Sequence, residues 1–346
     1  MIIPRRVFIK NTGAMTAGLM ILPYAAGAGS IATQELTDLL IDKDGNSIKT
    51  LSAWEERRKQ IRETWATYLG LIKTLPVTTE VKVLHEEKTG PLIRQLIEYE
   101  NEPGELVQAY LLIPDSANRR LPGVVALHST SDNQMLYISG VEKGKIVPLG
   151  YHLAQKGYVV ICPMCFLWRD RDNRTYEEQA QRFITSHPGS KGMAKMLFDA
   201  MRAVDVLVSL DMVEGDRIGA MGHSLGGKEA FYLGAFDDRI NVIVSNEGGI
   251  GIDFSNWDDP WYLGKEIHNF DHQHHELLAL CAPKPFLLIG GDFSDGVRSI
   301  PYIEAVRPVY SLYDKPDNIE LYNHGTGHNI TPEAEKLTYD WIVEHL

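Results

Sequence analysis

Cysteine is scarce. The 346 residues hold three, Cys162, Cys165 and Cys281, too few for a disulfide framework even where the compartment is oxidising. Cys162 and Cys165 have CxxC spacing but follow a strand pattern instead of opening a helix, so no redox role is expected of them. Basic residues are also in deficit, 34 against 46 acidic, for a formal net charge of -12. An acidic protein is not drawn to phosphate backbones or anionic lipid, so nucleic acid is excluded as a partner and a neutral or cationic small substrate is expected. Long hydrophobic runs are missing: the apolar stretch from Thr12 to Ala26 is too short to span a bilayer stably and has no stop-transfer flank. No repeat or low-complexity linker divides the main body.

What is present begins with Arg5-Arg6-Val7-Phe8-Ile9-Lys10, the mild apolar stretch and Ala26-Gly27-Ala28. Two adjacent arginines with Phe, Ile and Lys at the right offset resemble a twin-arginine export signal, and the small residues suit cleavage after Ala28. Residues 1–28 are therefore expected to be removed, leaving a periplasmic or secreted protein with no stable membrane insertion. Residues 29–78 read as a helical N-terminal extension, with Trp54, Ile61, Trp65 and Leu69 at helical spacing.

Residues 79–346 read as one α/β domain. Val81 to His85, Leu92 to Glu100 and Val107 to Ile113 alternate like hairpin strands. After Pro122 the pattern becomes short, nearly continuous apolar strands alternating with longer helical stretches, which is the pattern of a mostly parallel central sheet flanked by helices. The expected strands are Gly123 to Leu127, Tyr158 to Cys162, Arg217 to Met221, Val242 to Ser245, Pro285 to Ile289 and Ile319 to Tyr322. An insertion is expected at about 250–278, and the charged run Trp168 to Arg174 reads as a solvated loop.

Gly222-His223-Ser224-Leu225-Gly226 fits GxSxG between a predicted strand and a predicted helix, where the glycines permit a tight turn that exposes the serine hydroxyl. A serine needs a base held by an acid, in the chain order Ser, acid, His. His324-Gly325-Thr326-Gly327-His328 precedes the last helix, and His328 is preferred over His324 as the base. Three carboxylates at strand ends compete for the acid. Asp295 is preferred because it lies several residues past its strand, where the loop can curl under the histidine. Asp292, which can cap its own turn, and Glu247 remain alternatives. Oxyanion donors are expected from the backbone of Leu225 and of Ser129 or Thr130, with His128 a structural or substrate-shaping neighbour.

From about Gly123 onward the chain resembles the dienelactone hydrolase and acetyl xylan esterase branch of the α/β-hydrolases. Leu127 to Thr130, Gly222 to Lys228, Asp237-Asp238-Arg239, Ser245 to Gly249 and His324 to His328 carry the resemblance. It implies the α/β-hydrolase fold and carboxylic ester hydrolysis without a cofactor, often on acylated polysaccharide. Gly227-Lys228 and Glu247 are also similar to the glucuronoyl esterases, which have a lysine near the nucleophile and a glutamate acid. The chain departs from them at Leu225, where that family has arginine, and from dienelactone hydrolases proper at Ser224, where those have cysteine.

The segment His268 to Glu276 is rich in histidine and carboxylate but lacks HExxH or another ordered ligand spacing, so it reads as a polar loop and no metal is expected. Trp257, Trp261 and Lys228 are candidate substrate contacts, the two tryptophans as a lid or sugar-stacking wall, or else as packing for the insertion. The expected function is that of an exported serine esterase acting on a small or carbohydrate ester. The alternatives are a prolyl-oligopeptidase-like peptidase and a non-catalytic binding protein on the same fold. The sequence carries no indication of oligomeric state.

Overall fold

The computed structural model describes residues 36–75, 77–115, 119–131, 134–144, 147–170 and 173–346, so the export-signal assignment at 1–28 lies outside the described residues. Among them, nine strands form one sheet: β1 (Val81–Thr89), β2 (Leu92–Glu102), β3 (Glu105–Pro114), β4 (Leu121–Leu127), β5 (Val159–Pro163), β6 (Val213–His223), β7 (Ile240–Asn246), β8 (Phe286–Gly290) and β9 (Ile319–Asn323). Their order is β1-β2-β3-β5-β4-β6-β7-β8-β9. β1 to β3 form an antiparallel meander joined antiparallel to β5, and β4 to β9 run parallel. The expected mostly parallel sheet is what folds. The burial pattern explains the two halves: every residue of β4, β5 and β8 is buried, as strands covered by helices on both faces must be. The edge strand β1 is largely exposed.

Among the described residues nine α-helices accompany the sheet: α1 (Leu51–Leu69), α2 (Gln134–Ile138), α3 (Leu149–Ala154), α4 (Tyr176–Ser186), α5 (Gly192–Ser209), α6 (Leu225–Phe236), α7 (His274–Leu280), α8 (Ile300–Leu312) and α9 (Pro332–His345). α1 buries Trp54, Ile61, Trp65 and Leu69 along one face and packs on α7. It starts on the Thr50 side chain, which accepts from Ala53 N, and stops at Gly70 in the left-handed conformation. A Cβ at Gly70 would lie 2.1 Å from the Gly189 carbonyl oxygen, so only glycine fits. α6 runs behind the sheet with all twelve of its residues buried.

Three helices escaped the periodicity reading: the short α2, α4 and α7. α4 carries a complete capping box between Thr175 and Glu178, a signal present in the sequence. α7 lies in the histidine-rich stretch expected as a loop. The run from Trp168 is not simply solvated either, because Arg169 is buried and ion-paired to Glu105 and Asp199. No helix among the described residues is long and apolar enough to cross a membrane.

Candidate active site

β6 delivers the chain to Ser224 and α6 leaves it immediately. Ser224 adopts φ 59° and ψ -119°, a strained conformation for a residue with a side chain. The flanking glycines make that turn possible. A Cβ on Gly222 would sit 2.2 Å from the Gly226 carbonyl oxygen, and one on Gly226 would sit 2.0 Å from the Leu127 carbonyl oxygen. Backbone contacts this close leave no room for a methyl group. Leu225 opens α6, so its N–H is among the helix-start donors that lack an intrahelical acceptor.

His328 lies in the loop between β9 and α9. Its Nε2 is 2.8 Å from Ser224 Oγ, and its Nδ1 is 3.0 Å from Glu247 Oε2. Glu247 directly follows β7, and the parallel register pairs His223 with Asn246, which sets Glu247 level with Ser224 on the neighbouring strand. Its carboxylate is 1% exposed. One oxygen accepts from Gly291 N, and the other from Ser294 N at 2.7 Å as well as from the histidine. Buried and surrounded by donors, the group is held as an acceptor on His328.

The preferred acid of the sequence reading is elsewhere. Asp295, fully buried, accepts from Gly249 N at 2.6 Å, Ile250 N at 2.8 Å and Ser299 Oγ at 2.9 Å. It ties down the turn that follows Glu247 and makes no bond to His328. Burial raises its pKa. Asp292 closes its own loop, with Oδ1 accepting from Val297 N and Asn323 Nδ2. His324 turns to Thr326. The β7 register was the signal that favoured Glu247, and it is invisible until strands are paired.

Residues 107–258 match the model of the dienelactone hydrolase family. The Bacillus subtilis (strain 168) protein YtaP, named as a hydrolase, is 26% identical over 306 residues, spanning 83% of this chain and 99% of that one. The carbohydrate esterase MZ0003, from an unknown prokaryotic organism, is 21% identical over 311 residues, 73% of this chain and 72% of that one. Among solved structures, a glucuronoyl esterase from Solibacter usitatus superposes with a TM-score of 0.69 at 18% identity, covering 89% of this chain and 97% of that one. The chain has the α/β-hydrolase fold.

Within this fold the loop after β4 is locked to the elbow. Ser129 Oγ lies 2.8 Å from His223 Nδ1 and 3.1 Å from the His223 carbonyl oxygen. His128 is buried, accepts from Cys165 N through Nε2 and reaches the Ser129 carbonyl oxygen through Nδ1. Burial lowers His128 to about 4 and His223 to about 3, with the neighbouring His328 adding to the second shift. Both imidazoles are therefore neutral near pH 7, consistent with a structural His128. The Leu127 and His128 carbonyl oxygens lie against Gly226 in the first turn of α6, so the segment that continues into Ser129 starts beside the elbow.

Lys228 and Trp257, expected as substrate contacts, are buried inside the α/β-hydrolase domain. Lys228 Nζ donates to Ser255 Oγ at 2.8 Å and sits 3.8 Å from the Trp257 ring centroid, and burial brings its pKa down to about 7. The pair fastens the segment after β7 to α6. Trp261 is half-buried at the surface. The aromatic missed by the sequence reading is Phe293, 61% exposed with its ring 4.9 Å from that of His328.

The histidine-rich segment also turns inward. His274 is fully buried, bonded to Tyr232 Oη and the Ile250 carbonyl oxygen, while Glu276 accepts from Trp65 Nε1 at 2.8 Å and contacts His272. His275 meets Thr37. These bonds join the N-terminal extension to α7. Among the described residues no cluster of three or more His, Cys, Asp or Glu is arranged to hold a metal ion. All three cysteines are buried free thiols.

Proposed function

We propose that the chain is an exported serine esterase that hydrolyses a carboxylic ester of a carbohydrate. The observation carrying this reading is the hydrogen-bonded line from Ser224 Oγ through His328 to Glu247 at the strand ends. In the first step His328 Nε2 takes the Ser224 proton as Oγ bonds to the ester carbonyl carbon. The resulting oxyanion is held by the Leu225 N–H and a donor from the Ser129–Thr130 segment. His328 then gives its proton to the departing alcohol as the C–O bond breaks. Water attacks the acyl-enzyme, His328 accepts its proton, and the proton returns to Ser224 as the free acid leaves. Glu247 keeps the Nδ1–H tautomer in place and stabilises the imidazolium.

The names of the relatives, a carbohydrate esterase and a glucuronoyl esterase, support a saccharide in the substrate. Exposed Phe293 beside the histidine offers an aromatic face to a ring there. Export rests on the Arg5-Arg6 motif and the small residues before position 29. The test is labelling with a fluorophosphonate probe together with p-nitrophenyl acetate turnover, in wild type and in Ser224→Ala. The reading requires that wild type both labels and turns over while the variant does neither. A wild type inert to both would leave a binding protein, and faster cleavage of peptides than of acyl esters would make it a peptidase.

A further inference from the structure

The β2–β3 hairpin reaches the same edge of the sheet as Ser224. β3 pairs antiparallel with β5 with Ala109 opposite Pro163, so residues 105–108 extend past the C-terminal end of β5. Between this hairpin, the stretch after β5 and α4 lies a groove of about 810 Å³, within the roughly 300–1,000 Å³ of small-molecule sites. β3 is three strands from β6, about 14 Å at ~4.8 Å per strand. A ligand anchored at Ser224 therefore reaches the groove only if it extends over more than one ring.

A row of packed rings connects the oxyanion loop to the groove wall at Trp168. His128, at the oxyanion loop, lies 5.1 Å from Trp168, which lies 5.1 Å from Tyr176, which lies 5.9 Å from Trp261. Trp168 forms part of the groove wall. The floor is a closed ionic network. Buried Lys195 pairs with Glu102, Glu105 and Asp199, and buried Arg169 pairs with Glu105 and Asp199. Three carboxylates against two cations leave the network slightly negative, so the floor offers fixed donors and acceptors and no attraction for an anion. At the lip, Glu98 and Arg182 have no ionic partner among the described residues.

We propose that this groove binds the neutral oligosaccharide part of the ester substrate, with one pyranose ring on Trp168 and hydroxyls on Glu98 and Arg182. The chemistry selects that class. A sugar ring presents an apolar C–H face to an aromatic and neutral hydroxyls to paired charges. A polyanion would meet a surplus of carboxylates with Arg182 the one unpaired cation among the described lining residues, and a long acyl chain would leave the ionic floor desolvated and unmatched. The inference rests on the esterase reading and extends it to the chain that carries the ester.

The test uses the full chain carrying Ser224→Ala and isothermal titration with unesterified xylotetraose, cellotetraose, mannotetraose and a tetragalacturonide. One neutral tetrasaccharide is expected to bind, with affinity falling about tenfold in Trp168→Ala, as expected for a lost stacking face. Arg182→Ala, at an exposed position, is expected to weaken it severalfold without touching the fold. With Ser224 intact, the KM for an acetylated tetrasaccharide should rise in both variants by much more than the KM for p-nitrophenyl acetate. Failure of every neutral tetrasaccharide to bind, preference for the galacturonide, or equal effects on the two esters would each overturn the groove assignment. Ser224-dependent turnover of p-nitrophenyl acetate in that case keeps the esterase reading, whereas its absence overturns that reading whatever the groove binds.

Discussion

Replacing Glu247 by Gln separates the two buried carboxylates by role. Glu247 Oε2 accepts from both Ser294 N and His328 Nδ1, and Oε1 accepts from Gly291 N. A Gln amide has one acceptor for those three donors. With its oxygen in the Oε1 place, the NH₂ faces Ser294 N–H and the histidine. His328 must then present a bare Nδ1 and carry its proton on Nε2, where it can no longer accept from Ser224. With the oxygen in the Oε2 place, the NH₂ confronts Gly291 N–H and the buried donor goes unmet, at about 1–3 kcal/mol of stability. Loss of the correct tautomer in such a line lowers kcat by about 10³–10⁴, or roughly 4–5.5 kcal/mol of transition-state stabilisation. Asp295→Asn provides the contrast. It loses one acceptor toward Gly249 N or toward Ile250 N and Ser299, so it should cost about 1–3 kcal/mol in urea unfolding while kcat stays within about tenfold of wild type. Steady-state kinetics on p-nitrophenyl acetate and urea denaturation of both variants decide the matter. A kcat in Glu247→Gln near that of wild type, with Asp295→Asn the inactive variant, would refute the assignment.

Three further outcomes follow from buried groups. Burial raises Glu229 from the ordinary glutamate value of 4.5 to about 8, so the folded chain holds a proton that the unfolded chain releases above about pH 4.5. That group therefore lowers stability as pH climbs from 4.5 to 8, with no further loss above. Glu229→Gln should flatten the stability decline across this window in urea denaturation, and an unchanged slope would sink the idea. Trp65→Phe removes the indole donor from buried Glu276 and should cost about 1–3 kcal/mol, seen as a lower urea midpoint with Ser224 labelling retained. Gly226→Ala drives a methyl group onto the Leu127 carbonyl and should abolish fluorophosphonate labelling, with a stability loss of about 3 kcal/mol or more; normal labelling would mean that the elbow can relax.

The sequence made the sheet legible because a strand buried on both faces must read as a short continuous apolar run, and β4, β5 and β8 do so. Ser224 was legible because its glycines answer to backbone contacts that admit no side chain. The acid was not. Asp295 and Glu247 are both buried carboxylates just past strand ends, and their loops differ in which side faces His328. That difference lives in the pairing of β7 with β6, a non-local property absent from any window of the sequence. The burial of Lys228 and Trp257 was hidden for a related reason: an aromatic and a lysine near a nucleophile read as substrate contacts, and only the folding of the segment after β7 places them in packing.

The two carboxylates form successive supports of one structure. Ser224 and Glu247 both adopt positive φ, 59° and 48°, and such conformations persist only where surrounding bonds over-determine them. For Ser224 the restraint is the glycine contact between Gly222 and Gly226. For Glu247 it comes from both sides: Gly291 and Ser294 hold the side chain, and Asp295 holds the next turn through Gly249 and Ile250. Asp295 is thus a positioning residue acting through the backbone. The loop after β8 contributes to the site without supplying the carboxylate that meets His328, because its amides grip Glu247 while its own aspartate grips the turn beyond. Phe293 lies between those amides, so the same grip that fixes Glu247 also fixes an exposed aromatic face beside His328. Alignment of the proton relay and the shape of the pocket mouth are therefore coupled, and a substitution that loosens Glu247 should broaden ester selectivity as it lowers kcat.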